Sequence, residues 1–156
     1  MELQNLEQWI KTAPLIAAVA NVIALVFILF QVRSAKRMQK QSAARQLYGD
    51  FLAFVAANPD SVRIEDITPG SQYDWTMYLW LTALESGWLA FNGSHEWRQR
   101  IFSCARQNLK YFESDYWQGT GKYSNKDVSQ DFDADFLKVF RTAIAEEKKN
   151  EAPNGP

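Results

Sequence analysis

The chain has 156 residues, 47% hydrophobic and 14% aromatic, with 17 basic and 18 acidic side chains and a formal net charge of -1. That length allows one modest domain, and whatever enters a membrane is lost to the core. The near-neutral total hides a polarity, since residues 33–45 carry five basic groups and no acid while residues 46–156 carry 11 basic and 16 acidic ones, so the acidic distal part disfavours phosphate backbones and nucleic acid is not an expected partner.

Ala13 to Val32 is a run in which Asn21 and Gln31 are the only strongly polar side chains. At about 1.5 Å per residue a helix of this length covers roughly 30 Å, the thickness of a bilayer core. A cleaved signal peptide is the rival reading. The leader "MELQNLEQWIK" has one lysine against two glutamates, however, and the run ends in basic residues without a small-residue cleavage site. Lysine and arginine are far denser after the run than before it, which places the N-terminus outside, the remainder in the cytoplasm, and Trp9 at the outer interface. Arg33, Lys36, Arg37, Lys40 and Arg45 then face the inner leaflet, where each charge adds about 1 kcal/mol of attraction to anionic lipid. Setting topology alone is the plainer role for these charges. Within the span, Ala17, Ala20, Asn21 and Ala24 make a small-residue stripe that lets a second helix approach, with Asn21 able to bond across the contact.

The segment after the span has no proline until Pro59 and repeats apolar at Ala44, Leu47, Tyr48, Phe51 and Val55, a spacing that predicts continuation of the membrane helix as a stalk. Asn58 precedes Pro59 and ends it; "NPDSVRIED" restarts a short helix with Asn58 as cap and Pro59 in its first position, and "ITPGS" closes that piece. Gln72 to Phe91 reads as a buried central helix with Tyr73, Met77, Trp80, Leu84, Trp88 and Phe91 on one face. A second crossing there would place Arg98, Arg100, Arg106 and Lys110 outside, against the charge rule. Asn92 and Gly93 stop this helix. Ser94 caps the next, with Trp97, Ile101, Ala105, Leu109 and Phe112 inward. "SDYWQGTGKYSN" interrupts, and a last helix from Ser129 to Lys149 turns Phe132, Phe136, Val139, Phe140 and Ala143 inward, with Asp131 and Asp133 at its start and Lys148 and Lys149 at its end opposing the dipole.

The expected fold is therefore all-α: one N-terminal transmembrane helix continuing into a stalk, then a bundle of three to four helices. Residues 1–12 are a short external N-terminus, 13–32 the span, 33–57 the basic stalk, 58–149 the cytoplasmic domain and 150–156 a disordered tail.

No motif supplies chemistry. "HEWRQ" starts like a zinc-protease helix, but Gln99 stands where the second histidine must sit, and His95 is the only histidine. "GTGKY" fails as a phosphate loop because Tyr116 and Tyr123 replace the first glycine and the magnesium hydroxyl. "DFDADF" lacks the calcium-loop glycine at Phe136 and the bidentate glutamate at Thr142. "NGS" has the form of a glycosylation sequon on a side where it is idle. Cys104 is the sole cysteine, which excludes an internal disulfide and fits a reducing compartment. No cofactor or metal is expected. Glu85 and Glu113 are the candidate acid and base of an alternative, membrane-tethered enzyme, an acid role that requires Glu85 to be buried on its apolar helix and not to face water.

The 22 aromatic residues, six of them tryptophan, exceed what a few short helices readily cover. Most belong in a core, and a remnant drawn from Trp80, Trp88, Trp97 and Trp117 is the candidate partner surface. The order of a short span, "LFQVR", basic residues, "RQLYGDFLAFVAANPD" and a helical tail resembles a widespread group of uncharacterised bacterial single-span proteins. The resemblance implies a bacterial inner-membrane protein with a cytoplasmic helical domain. "GTGKYSNKD" is an extra loop relative to that group. The expected function is a non-enzymatic accessory or regulatory subunit that meets membrane lipids and, through its membrane helix, another membrane protein or a second copy of itself.

Replacing Asn21 and Ala24 by leucine should weaken lateral association in the membrane. Crosslinking yields in native membranes check this, and an unchanged yield would rule the stripe out as a contact.

Overall fold

The computed structural model describes residues 2–63, 67–120 and 131–151, and among them every regular element is helical. These are α1 (Glu2–Ala57), a single 3-10 turn (Pro59–Val62), α2 (Gln72–Ala90), α3 (His95–Gln107), α4 (Leu109–Glu113), α5 (Asp115–Gln118) and α6 (Ala134–Glu151). The expected tail beyond residue 151, most of "GTGKYSNKD", Ser129 and residues 64–66 of "NPDSVRIED" lie outside the described residues, as does the Trp9 side chain. The chain divides into two compact units, Met1–Lys40 and Gln41–Pro156.

α1 is one helix of 56 residues. It ends because Asn58 takes φ -131° and ψ 67° before Pro59, the restriction that proline places on its predecessor. Asn58 does not cap the following turn. Its side chain instead donates back to the Phe54 carbonyl (2.9 Å) and closes α1, while the buried Ser61 donates to the Asn58 carbonyl (2.7 Å). The stalk also divides. Its residues from Gln41 onward belong to the bundle unit, and Ala44 and Phe51 are buried there.

"TPGS" builds the start of α2. The Ser71 N–H donates to the Thr68 carbonyl (3.1 Å) with Gly70 at φ 80°, a type II turn with proline and glycine where their backbones fit. Ser71 then caps α2 by accepting from the Asp74 N–H (3.1 Å), satisfying an otherwise unpaired donor. Asn92 (φ 49°) and Gly93 (φ 67°) end the helix in the left-handed region, as expected.

Four expectations for the distal half change. Ser94 occupies the cap position of α3, but its side chain makes no capping bond. The helix read from Trp97 to Phe112 breaks at Asn108, whose amide donates to the Cys104 carbonyl (3.0 Å) and whose Oδ1 accepts from the Tyr73 hydroxyl (2.8 Å). Side-chain bonding to the local backbone competes with helix continuation. "SDYWQG" is not an irregular interruption: Ser114 caps α5 by accepting from the Trp117 N–H (3.3 Å), and Gly119 at φ 62° stops it. The last helix starts at Ala134, where Asp133 Oδ1 accepts from the Asp135 and Phe136 N–H groups (2.9 and 3.1 Å). Dipole compensation was the expected role of Asp133, and direct capping adds to it.

The core joins α2, α3, α4 and α6 through Met77, Leu84, Ile101, Phe112, Phe136 and Phe140. Phe112 meets Phe140 edge-on at 4.7 Å, an arrangement worth about 0.5–1.5 kcal/mol beyond burial alone. Leu137 and Ile144 join the expected inward residues of α6, whereas Val139 is only partly covered. Arg106 of α3 makes a forked pair with Glu147 of α6 (2.9 and 3.1 Å). The hydrogen bond from Arg106 holds the Glu147 carboxyl below its ordinary value.

Trp97 lies against Gly87 so closely that a Cβ at residue 87 would sit 2.1 Å from ring carbons. The ring is 1% exposed and has no room to retreat. Gly87→Ala should therefore destabilise the bundle by about 2 kcal/mol, overpacking outweighing the helix propensity gained. Gly49→Ala, where a Cβ meets nothing within 4 Å, should stabilise by up to about 1 kcal/mol. Denaturant unfolding of the full chain in a maltoside detergent, followed by tryptophan fluorescence, checks both; equal effects at the two glycines would contradict the packing.

Candidate functional site

In the first unit, the large apolar side chains from Ile16 to Val32 are 46–68% exposed. This is the one helix among the described residues long and apolar enough to cross a membrane. None of the described residues covers these side chains, an exposure that is costly in water and makes the helix a candidate membrane span. Ala17, Ala20, Asn21 and Ala24 are exposed along it, and Arg33, Lys36, Arg37 and Lys40 follow as an exposed basic run. Arg45 sits apart from that run. Its guanidinium lies 4.9 Å from the Phe91 ring centre in the second unit, a cation–π contact on the bundle.

The second unit distributes the expected partner tryptophans unequally. Trp97 is wholly interior and is a core residue, meeting Tyr48 edge-on at 5.4 Å. Trp80 stacks on Phe51 at 5.2 Å and so fastens the stalk end to α2. Trp88 covers the Gly93 turn. Trp117 packs against Phe112 (5.0 Å) and lines a pocket. Among the described residues the most exposed ring in this unit is one that the helical pattern did not single out: Trp75 is 62% exposed, and Leu79 and Leu89 are exposed on the same face of α2, with Thr82 and Ser86 between them. A clue was present, since Trp75 falls off the Tyr73–Met77–Trp80–Leu84 face and has no interior position to occupy.

Glu85 and Glu113 do not form a pair. Glu85 accepts from the Asp133 N–H at the start of α6, whereas Glu113 pairs with Lys148 (3.1 Å) near its end. Fifteen residues of rise separate those anchors by about 20 Å, too far for one substrate bond to reach both. Each is a tie for α6.

The pocket beside Trp75 and Trp117 has a volume of about 380 Å³. Asp74, which no sequence motif marks as a site residue, is one of its lining residues. The "TPGS" turn and the Ser71 cap place Asp74 in the first turn of α2, where its Oδ2 accepts from the Gly70 N–H (2.9 Å) and the Tyr116 hydroxyl (3.1 Å). Oδ1 accepts from the Tyr111 hydroxyl (2.6 Å). The Asn108 break and the Ser114 cap aim α4 and α5 so that both phenols converge on this carboxylate. Burial first, and then the bond to Asp74, push the Tyr111 phenol far above the ordinary tyrosine range; burial does the same to Tyr73 and to the Cys104 thiol. A cysteine in that state is inert. "TPGSxxD" was a legible signal for the turn, cap and first-turn carboxylate, but nothing in it indicates two tyrosines about 40 positions away.

Tyr73 and Tyr111 are neutral in the fold and ionise more readily when unfolded, so their stabilisation is intact below the ordinary value of 10.0 and is lost as pH rises above it. Thermal midpoints measured from about pH 8 to about pH 12 should hold and then fall steeply above about pH 10. Tyr111→Phe should lower the plateau by about 1 kcal/mol and make the fall shallower; a wild-type profile flat across the whole range would contradict this assignment. Compared with protein-family models, curated proteins and solved structures, the chain matches none, so any functional reading of this surface rests on its own geometry.

Proposed function

We propose that this protein is a single-pass, membrane-anchored interaction protein, an accessory or regulatory subunit that holds a helical bundle at the cytoplasmic face of a bacterial inner membrane. The observation that carries the reading is the uncovered apolar surface from Ile16 to Val32 followed at once by Arg33, Lys36, Arg37 and Lys40 with no acid. Lipid tails solvate the first, and anionic headgroups on the cytoplasmic side attract the second. An N-out, C-in orientation follows from the same charge asymmetry. The resemblance of "LFQVR" and "RQLYGDFLAFVAANPD" to bacterial single-span proteins supports the choice of membrane.

What the anchor presents is an acidic bundle with the Trp75–Leu79–Leu89 ridge exposed. Apolar side chains grouped on one helix face favour contact with another protein over contact with water. Catalysis by the Glu85 and Glu113 carboxylates receives no support from their separation.

The protein should resist alkaline carbonate extraction, and protease added to spheroplasts should leave its C-terminal bundle intact while protease added to inverted vesicles removes it. A photo-crosslinking residue at Leu79 or Leu89 should give a discrete adduct with a membrane protein, while the same probe at the exposed Ser103 should not. Release by carbonate would defeat the anchoring, and equal adducts at all three positions would defeat the ridge as a contact surface.

A further inference from the structure

We propose that the Asp74 pocket binds a small organic cation bearing a quaternary ammonium group. This inference is independent of the membrane reading, because it rests on residues of the bundle unit alone.

The walls are aromatic. Trp75 and Tyr78 stand on one side, and Tyr111, Tyr116 and Trp117 on the other, with the buried Leu81 contributing an apolar wall. Ring faces carry partial negative charge and attract cations, most strongly where water is displaced. Among the described residues the ionisable carboxylates at the pocket are Asp74 and Asp131, and no lysine or arginine lines it. Among the described residues neither carboxylate has a salt-bridge partner. An anion would therefore meet like charge, whereas a cation meets two carboxylates and several π faces.

The hydrogen bonds narrow the class further. Three donors already engage Asp74, from Gly70, Tyr111 and Tyr116, out of roughly four acceptor sites on a carboxylate. Both phenol hydroxyls donate their protons to Asp74, while their oxygens can still accept. A primary ammonium could place its N–H donors on those oxygens and on Asp131 but would leave the rings and Leu81 uncovered. A quaternary ammonium has no such donors, and its methyl groups suit the rings and Leu81. The volume of about 380 Å³ lies in the range of small-ligand sites.

Choline is the probe, added to the full chain in a maltoside detergent, with binding read from tryptophan fluorescence and calorimetry. Its neutral isostere, carrying a tert-butyl group in place of trimethylammonium, has the same shape without the charge. Choline should bind saturably, and the isostere at least about tenfold more weakly. Phosphocholine separates two sources of the same chemistry: binding equal to that of choline assigns a lipid headgroup, and weaker binding assigns a free cation, since its phosphate meets the Asp131 rim. Asp74→Asn disturbs the tyrosines, so Trp75→Leu and Asp131→Asn, at exposed positions, are the informative variants. Each should weaken choline by about threefold or more with unfolding unchanged. Absence of choline binding, equal binding of the isostere, or undiminished affinity in both variants would overturn the proposal.

Discussion

A tryptophan ring resting on a glycine is the contact on which the bundle depends. Gly87 lets α2 and α3 approach until the Trp97 indole fills the space a Cβ would need. From that position Trp97 meets Tyr48 of α1 edge-on at 5.4 Å and lies 5.7 Å from Phe91. Arg100 adds its guanidinium over Tyr48 at 4.4 Å. The end of the stalk is thus held by rings that are in place only because residue 87 has no side chain. Glycine inside a helix costs about 1 kcal/mol relative to alanine; burial of the largest side chain in the protein offsets that several times over.

The same logic of a local break serving a distant contact recurs on the opposite side of the bundle. Asn108 gives up helix continuity, and its amide in return ties Tyr73 of α2 to the Cys104 carbonyl. The break turns α4 so that Tyr111 reaches Asp74, and α5 follows with Tyr116. A carboxylate shared by two phenols and a turn amide couples four chain segments in one polar cluster, and the pocket is the space left between the rings that the cluster orients. Polar groups in a core are tolerable when each finds partners, and here their geometry also shapes a concave aromatic surface.

Among the described residues the first unit shows no such network, and an apolar helix that satisfies its backbone internally needs none to be a candidate span. That simplicity is why its character was readable: apolar length, the absence of interruption and the abrupt basic run are all local properties. The same holds for the ends of helices. Pro59 stops α1, "TPGS" makes its turn, and Asn92–Gly93 closes α2, each through backbone restrictions of one or two residues. Reading failed where two chemistries compete at one position. The helical pattern runs through Asn108, and Ser94 and Asn58 have the residue types of caps, but propensity alone does not say which hydrogen bond a side chain will choose.

What the amino-acid order determined by itself is the all-helical class, the single apolar helix, the charge polarity and most inward faces, since period, length and turn chemistry are carried by neighbours along the chain. Tertiary structure alone decided which aromatic residues are interior and which are exposed, that Glu85 and Glu113 serve opposite ends of α6, and that Asp74 gathers Tyr111 and Tyr116. Those outcomes depend on helices meeting across separations of 35 to 48 residues. A helical pattern records that a face is buried, but not which other face buries it.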